Sequence, residues 1–506
     1  MSAIKLEPWE RWALGAVLVV AAALRLYKLD APLWFDEIAT ITEFVRAPVS
    51  QLIADYSSFN NHLFFSLQAK LSTSLFGETA WAARLPAMLF GLGSIWLTWR
   101  LARRMLGPAE ALLVAALLAT SYHHIWFSQN ARGYTELMFW SLASLVVFVE
   151  GIGEKSIGRW ALFSACLAAA MYTHLTAAFF IAALGLVYAG MLLARWFAPA
   201  RAPSLLTAPQ DRAAQWAPMF GFIGGGVLTL ILCAPALPQM TSLVAGVKEV
   251  SEVEVMREYH NPLWTILEGL RTLGGGGFIA LAAPFAFFFA ALGAAGLWRR
   301  DPVTVLVGVL AIPVTIAALD IMSMRIWPRF FFTEIAFAFL FMTHGVFMTA
   351  GFFSKLAAQW TPRLPATQTN LFALAALVML AASMVLAVRN YAAPKQNFPA
   401  AISLIEREGA PASSVGVVGW GYYPLSAYYG MSWKDVRKLS DLDALAPQGE
   451  ERWIVAAFPE RTSRENADIW AVLEKSYERI AYIPGTLGDG GIVVFRSKPS
   501  EEATAG

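Results

Sequence analysis

Cysteine is almost absent from this chain of 506 residues, which holds only Cys166 and Cys233. Both lie in apolar runs, where an unpaired cysteine behaves as a small hydrophobe. The absence of any C-x-x-C removes support for a redox pair or a cysteine-built zinc site. Charge is scarce too. Asp, Glu, Lys and Arg make up 15% of the chain and the net charge is +2, which is too small to point to nucleic acid. There is no long internal repeat. What is plentiful is apolar surface, at 57% of residues and a mean hydropathy of +0.53. A single soluble core cannot hide that much.

The apolar residues come in repeated runs long enough to cross a bilayer as helices. Eleven spans are expected, at about 11–29, 84–106, 109–127, 133–150, 160–174, 175–196, 216–236, 278–298, 302–322, 330–352 and 369–389. The fifth and sixth are two steep helices meeting at Thr173 and His174. The first resembles a signal peptide but lacks a small-x-small cleavage site, so it reads as a retained span. Orientation follows from Lys and Arg. With the N-terminus inside, the inner turns carry Arg100, Arg103 and Arg104, then Lys155 and Arg159, then Arg195, Arg201 and Arg212, then Arg299 and Arg300, then Lys355 and Arg363. An odd number of spans leaves the C-terminus outside. Five of the six histidines (His62, His123, His124, His174 and His260) fall toward that outer face, and His344 does not.

Three regions therefore share the outer side. The first loop, about 30–83, holds "HLFFSLQAKLSTSLF", with Leu63, Leu67, Leu71 and Leu75 on one helical stripe. That pattern predicts an amphipathic helix lying on the membrane, and Asp36 to Tyr56 is a candidate for a second. The segment 238–277 is long for a loop between spans. Its mixed charges and the helical "PLWTILEGLRTL" suggest a lid, with Gly274 to Gly277 as its hinge. Residues 390–506 are polar, with short apolar strands ("SSVGVVGW", "RWIVAAF", "ERIAYIP", "GGIVVFRS") between helical segments. This predicts a small α/β domain. It has no Gly-rich phosphate fingerprint, so it is expected to serve structure or acceptor recognition. Its "GWGYYPLSAYYG" is an aromatic patch that could meet a sugar or a lipid; the plainer reading is a core strand with surface tyrosines.

The most unusual residues are Asp36 and Glu37, in "LWFDEIAT". A pair of acids at a helix N-terminus is favoured by the macrodipole. These two, however, sit beside Trp34, Phe35 and Ile38, and ionisable groups in such company are functional candidates. Partial burial can raise a carboxylate into the range where it serves as a general base.

The sequence around them resembles the GT-C glycosyltransferases, polytopic enzymes that use polyprenyl-phosphate-linked sugars. "RLYKLDAPLWFDE" resembles the family's entry signature. "NNHLFFSL" resembles its His-Pro-Pro stretch, with Leu63 in place of Pro. "ARLPAMLFGLGSI" resembles its Arg-Leu-Pro-Ser start of the second span, with Ala87 for Ser. "SYHHIWFSQNARGYTEL" resembles its S-x-x-A-R-x-Y turn, and "MYTHLTAAFF" its Thr-His corner. The five occur in family order over about residues 20–180. Within the superfamily the chain looks most like the group containing protein O-mannosyltransferases and lipid A aminoarabinose transferases.

The resemblance implies a polytopic α-helical membrane protein, with residues 1–389 catalytic and residues 390–506 an extracytoplasmic α/β domain. It implies a bacterial inner-membrane location, with the N-terminus cytoplasmic and the tail periplasmic. The expected reaction moves a sugar from a polyprenyl phosphate to a lipid A, lipid-linked glycan or protein acceptor. Asp36 would be the general base and Glu37 its support. His62, Lys70, Arg132, Tyr134, His174, Arg325 and Arg329 would bind donor or substrate and meet the charge growing on the leaving phosphate. Glu258 and His260 of the lid would reach the acceptor. No cofactor and no metal site is expected; Asp36, Glu37, His62 and His260 are ligand types a divalent cation accepts, but no spacing fixes a site. The competing reading is a transporter or flippase of a lipid-linked saccharide. It would place polar groups near mid-membrane on broken, paired helices, whereas here they gather at one face. An envelope scaffold is a third reading, and it leaves the first-loop motifs unexplained.

Overall fold

The computed structural model describes residues 7–197, 211–251, 261–262, 276–360, 367–446 and 451–498. The chain divides into two compact units. The first comprises residues 1–27, 49–72 and 84–387, and the second residues 28–48, 73–83 and 388–506. The second is thus larger than the tail alone, since two stretches of the first loop cluster with it.

The first unit is helical. Helices occupy Pro8–Leu26, Leu63–Phe76, Ala80–Met105, Pro108–Thr120, Tyr122–Ser128, Tyr134–Gly151, Ile157–Thr173, Ala177–Phe197, Arg212–Cys233, Leu237–Ser251, Gly276–Leu297, Pro302–Ile321, Ile335–Trp360 and Gln368–Val388. A helix, or a bent pair, thus covers each stretch where a span is expected. Among the described residues, six helices are long and apolar enough to cross a membrane, or seven if the bent pair is one span. That makes the chain a multi-pass membrane protein, with six or seven of the eleven expected spans meeting both criteria among the described residues. Helices suit a bilayer because every backbone N–H and C=O inside them is satisfied within the segment.

Two breaks shape the unit. Pro108–Thr120 and Tyr122–Ser128 meet at 58°, because Ser121 leaves the helical conformation and its Oγ caps the second helix at the His124 N–H. Between Ile157–Thr173 and Ala177–Phe197, His174 takes an extended conformation (φ −157°, ψ 130°) and ends the first helix. This is the expected corner. Elsewhere helices approach closely. A side chain at Gly293 would collide with the Phe341 carbonyl and one at Gly345 with the Phe289 carbonyl, so small residues let Gly276–Leu297 and Ile335–Trp360 pack backbone to backbone. The core between helices is built from residues such as Leu118, Met138, Leu142, Phe148 and Phe163.

The basic turns are tied to acids of other helix ends. Arg103 meets Glu10 at 2.6 Å, Arg100 meets Glu150 at 2.9 Å and Arg104 meets Asp301 at 3.6 Å. His344 lies 2.7 Å from Glu110. These contacts gather the start of the first helix, the end of Ala80–Met105, the end of Tyr134–Gly151 and the start of Pro302–Ile321 at one end of the unit, the alternation expected of successive spans.

The predicted amphipathic helix forms over Leu63–Phe76. Its leucine stripe divides: Leu63 is buried against Tyr56 and Tyr172, while Leu71 and Leu75 stay exposed. The second interfacial helix expected after Asp36 is broken. Phe35–Ala39 runs into a π-helical stretch, Thr40–Val45, and a separate turn covers Val49–Leu52. Of the expected lid, Leu237–Ser251 is helical, whereas Glu258, His260 and "LWTILEGLRTL" lie outside the described residues.

Among the described residues, the second unit contains five strands, β1 (Val415–Val418), β2 (Lys434–Val436), β3 (Trp453–Ala457), β4 (Tyr477–Ile483) and β5 (Ile492–Ser497), in the order β2-β1-β3-β5-β4. β1 is parallel to β2 and β3, and β5 is antiparallel to β3 and β4. Four of the strands coincide with the expected apolar runs; β2, three residues with Lys434 exposed, has too little pattern to announce itself. β3 is buried at every position, as the middle of a sheet requires. Helix Phe398–Arg407 contributes Phe398, Ala401, Ile402 and Ile405 to the core, one apolar stripe at helical spacing. The first-loop stretches join this unit through Phe35 N–H to Gln396 Oε1 (2.9 Å), Thr42 Oγ1 with the Tyr423 hydroxyl (2.6 Å) and Arg46 with Glu78 (2.7 Å).

Removing one member of a buried ion pair leaves the other charge uncompensated. Glu10 is fully buried, so Arg103→Gln should destabilise the folded protein by about 3 kcal/mol or more. The double variant Arg103→Gln, Glu10→Gln should recover much of that loss. Thermal unfolding in detergent measures both, and a double variant no better than Arg103→Gln alone argues against the pairing.

Candidate functional site

In the helical unit the structure brings four of the expected residues together. His62 precedes helix Leu63–Phe76, Arg132 and Tyr134 flank the turn before Tyr134–Gly151, and His174 stands at the corner described above. The His62 ring lies 5.1 Å from Tyr134 and 4.5 Å from His174, edge to face in both cases. Tyr134 and His174 are 5.5 Å apart. The Arg132 guanidinium sits 5.8 Å from the Tyr134 ring, within cation–π reach. Arg132 Nη2 is 3.1 Å from His62 Nε2.

The turn leaves no room for a side chain at position 133. A Cβ on Gly133 would lie 2.7 Å from Thr173 Cγ2 and 3.0 Å from His62 Nδ1. Glycine therefore lets its own N–H reach His62 Nδ1 at 2.8 Å. A backbone N–H only donates, so Nδ1 accepts and the proton of the neutral ring is on Nε2. Nε2–H and the Arg132 guanidinium then converge as donors on one region. Burial, followed by the positive charge of Arg132, by His174 and by Arg329, holds His62 well below the ordinary imidazole range, which keeps it neutral.

The turn is itself held from below. Arg25, fully buried, donates to the carbonyls of Ala21 (2.9 Å) and Ala119 (3.0 Å) and to Ser128 Oγ (3.1 Å), with His124 Nδ1 at 2.7 Å. Gln129 Nε2 donates to the carbonyls of Arg25 and Tyr27 at 2.8 and 2.7 Å. The segment leading into Arg132 is thereby fastened to the end of the first helix. On the other side, Glu136 accepts from Gln68 Nε2 (2.6 Å) and Trp140 Nε1 (3.2 Å), joining helix Leu63–Phe76 to Tyr134–Gly151. Arg25, Gln129 and Glu136 are not among the expected site residues, yet each lies within a quoted motif, Arg25 in "RLYKLDAPLWFDE" and the other two in "SYHHIWFSQNARGYTEL".

The other expected residues fall as follows. Arg329 is half-buried in the 3₁₀ turn Pro328–Phe331, with its guanidinium 5.1 Å from the Trp327 ring. Its charge reaches His62, and its neighbour Phe330 contacts His174 at 6.4 Å. Lys70 lies half-buried two turns along helix Leu63–Phe76, and Arg325 is half-buried in the loop after Pro302–Ile321. Asp36 and Glu37 belong to the sheet-bearing unit. Glu37 is buried, and its Oε2 accepts from the Trp34 N–H at 3.2 Å, capping the short helix Phe35–Ala39. Asp36, one residue earlier, is half-buried in the same first turn. Among the described residues no three His, Cys, Asp or Glu side chains gather as a cation site.

A family model for dolichyl-phosphate-mannose-protein mannosyltransferases matches residues 62–238, the part of the chain that carries His62, Arg132, Tyr134 and His174. No curated protein matches the chain by sequence. Among solved structures, the chain is similar to the archaeal oligosaccharyltransferase AglB from Archaeoglobus fulgidus, solved with an inhibitory peptide and a dolichol phosphate. The TM-score is 0.55 at 13% identity, over 98% of this chain and 74% of that one. The apo form of the Archaeoglobus fulgidus enzyme gives 0.55 at 14%, over 94% and 73%. ArnT from Cupriavidus metallidurans gives 0.49 at 15%, over 97% and 99%. The family match and the shared fold place the chain among proteins of the GT-C fold.

The contact at Gly133 is open to test. Gly133→Ala should destabilise the protein by about 1–3 kcal/mol through overpacking, read as a lower thermal midpoint in detergent. An unchanged midpoint would contradict the close approach of His62 and Thr173.

Proposed function

We propose that this protein is an integral-membrane glycosyltransferase that moves a sugar from a polyprenyl phosphate to a hydroxyl or amine of an envelope acceptor. The observation that carries the reading is the convergence of His62 Nε2–H and the Arg132 guanidinium, with the charge of Arg329 nearby. Such donors suit an anionic oxygen. The bond that breaks in this reaction joins the sugar's anomeric carbon to a phosphate oxygen, which leaves with the electron pair. Fixed donors at that oxygen stabilise the charge as it develops. Tyr134 and His174 wall the cluster with rings, and Lys70 and Arg325 are further cations for the donor phosphate.

The general base is assigned to Asp36 on the sequence resemblance. Its carboxylate takes the acceptor proton as the acceptor oxygen or nitrogen bonds to the anomeric carbon. Glu37 supports it by capping the helix that carries it. Glu258 and His260 remain assigned to acceptor contact. Arginine and histidine meet the phosphate charge directly, so turnover is expected to continue after chelation with EDTA. The N-terminus is assigned to the cytoplasm and the sheet-bearing unit to the periplasmic side of a bacterial inner membrane.

Purified protein supplied with polyprenyl-phosphate sugars and envelope acceptors should release polyprenyl phosphate. Asp36→Asn should slow that release by about a hundredfold or more, and Arg132→Ala should slow it comparably. Turnover unchanged in Asp36→Asn would remove the general-base assignment. For orientation, the native cysteines are buried, so a cysteine placed at exposed Lys475 should take up an impermeant thiol label in intact spheroplasts. Labelling only after lysis would reverse the topology.

A further inference from the structure

The sheet-bearing unit contains a cleft of about 460 Å³ whose wall includes Phe35, Trp420, Tyr422, Asp435, Glu465 and Asn466. We propose that this cleft is a saccharide-binding subsite that holds the sugar portion of the acceptor. Its role as an acceptor subsite rests on the transferase reading above; the binding of a sugar does not.

The argument begins with Trp420. It is a large apolar side chain left 40% exposed, yet it is held in place. Its Nε1 donates to Glu465 Oε2 at 2.7 Å. The Arg461 guanidinium lies 3.8 Å from the ring centroid and is tied to Glu465 Oε1 at 2.7 Å. Arg461 thus stacks on the indole, and Trp420 itself forms part of the cleft wall. Phe35 adds a second ring 5.4 Å from Trp420, tilted by 57°. A rigid ring that presents a flat apolar face in water matches the C–H face of a pyranose.

The polar part of the wall matches the rest of a sugar. The Asp435 carboxylate, oriented by Arg437 at 2.6 Å, accepts hydrogen bonds from hydroxyl or amino groups, and the Asn466 amide both donates and accepts. The wall also includes Arg437, paired with Asp435, so its charges largely cancel and it suits an uncharged polar ligand better than a phosphate. Carboxylates, an amide and a guanidinium around the rings disfavour an acyl chain. A mixture of flat aromatic surface and a few oriented polar groups is what a small polar ligand needs. The position has meaning too. Phe35 and Asp36 are consecutive residues of the helix Phe35–Ala39, so a sugar against Phe35 lies next to the helix that carries the assigned base.

The full-length protein in detergent, without donor, should be titrated with chitobiose, mannobiose and a glucosamine disaccharide by saturation-transfer NMR. At least one should bind. Trp420→Ala should weaken that binding about tenfold or more, while Trp420→Phe keeps most of it. Asn466→Ala, on the polar side of the cleft, should weaken it without removing the ring, which keeps the test meaningful if Trp420→Ala misfolds. No binding of any of the three by the wild type, or equal binding by the wild type and folded Asn466→Ala and Trp420→Ala, overturns the proposal. Binding that follows this pattern in a protein that releases no polyprenyl phosphate supports the subsite and counts against the transferase reading alone.

Discussion

A single buried guanidinium organises the helical unit. Arg25 stands at the end of the first helix, and its donors reach carbonyls, a hydroxyl and an imidazole. Burying such a charge is costly unless its donors are used. Using them requires the first helix, the end of Pro108–Thr120 and the helix Tyr122–Ser128 to arrive together. The same requirement fixes His124, which must offer an unprotonated Nδ1 because a guanidinium can only donate. From Ser128 and Gln129 the constraint passes along the chain to Arg132 and Gly133, and from Gly133 to His62. The convergence of donors at His62 therefore has its origin in a residue that takes no part in it.

This order explains what the sequence made legible. The spans were visible because apolar length is a one-dimensional signal, and the corner at His174 was visible because a run from 160 to 196 is too long for one helix. The strands of the tail were readable from alternating helix and strand composition. His62, Arg132, Tyr134 and His174 were named through motif resemblance, and the structure brings them together. Lys70, Arg325 and Arg329 stand out in the sequence as cations near one face, a weaker criterion, and the charge of Arg329 reaches His62.

What stayed hidden was relational. Nothing in "RLYKL" says that Arg25 will meet Ser128, because that contact joins residues 103 positions apart. Nothing in "FDEIA" divides the two acids, yet the fold commits Glu37 to the Trp34 N–H while Asp36 occupies the preceding position of the same turn. The association of residues 28–48 and 73–83 with the tail was equally invisible. It depends on single contacts such as Phe35 with Gln396 and Thr42 with Tyr423, whose partners carry no periodic signature. The aromatic patch in "GWGYYPLSAYYG" could be read as core or as surface, and only the clamp of Arg461 and Glu465 on Trp420 separates the two.

The bond from Gly133 to His62 limits what that histidine can do. An imidazole moves protons between partners by exchanging tautomers or by turning its ring over. Here one nitrogen, Nδ1, is already engaged as the acceptor of the Gly133 backbone N–H. His62 is thus held neutral, with its Nε2–H as a donor. In the transferase reading proposed above, His62 therefore serves an anionic oxygen as a donor and leaves the acceptor proton to another residue.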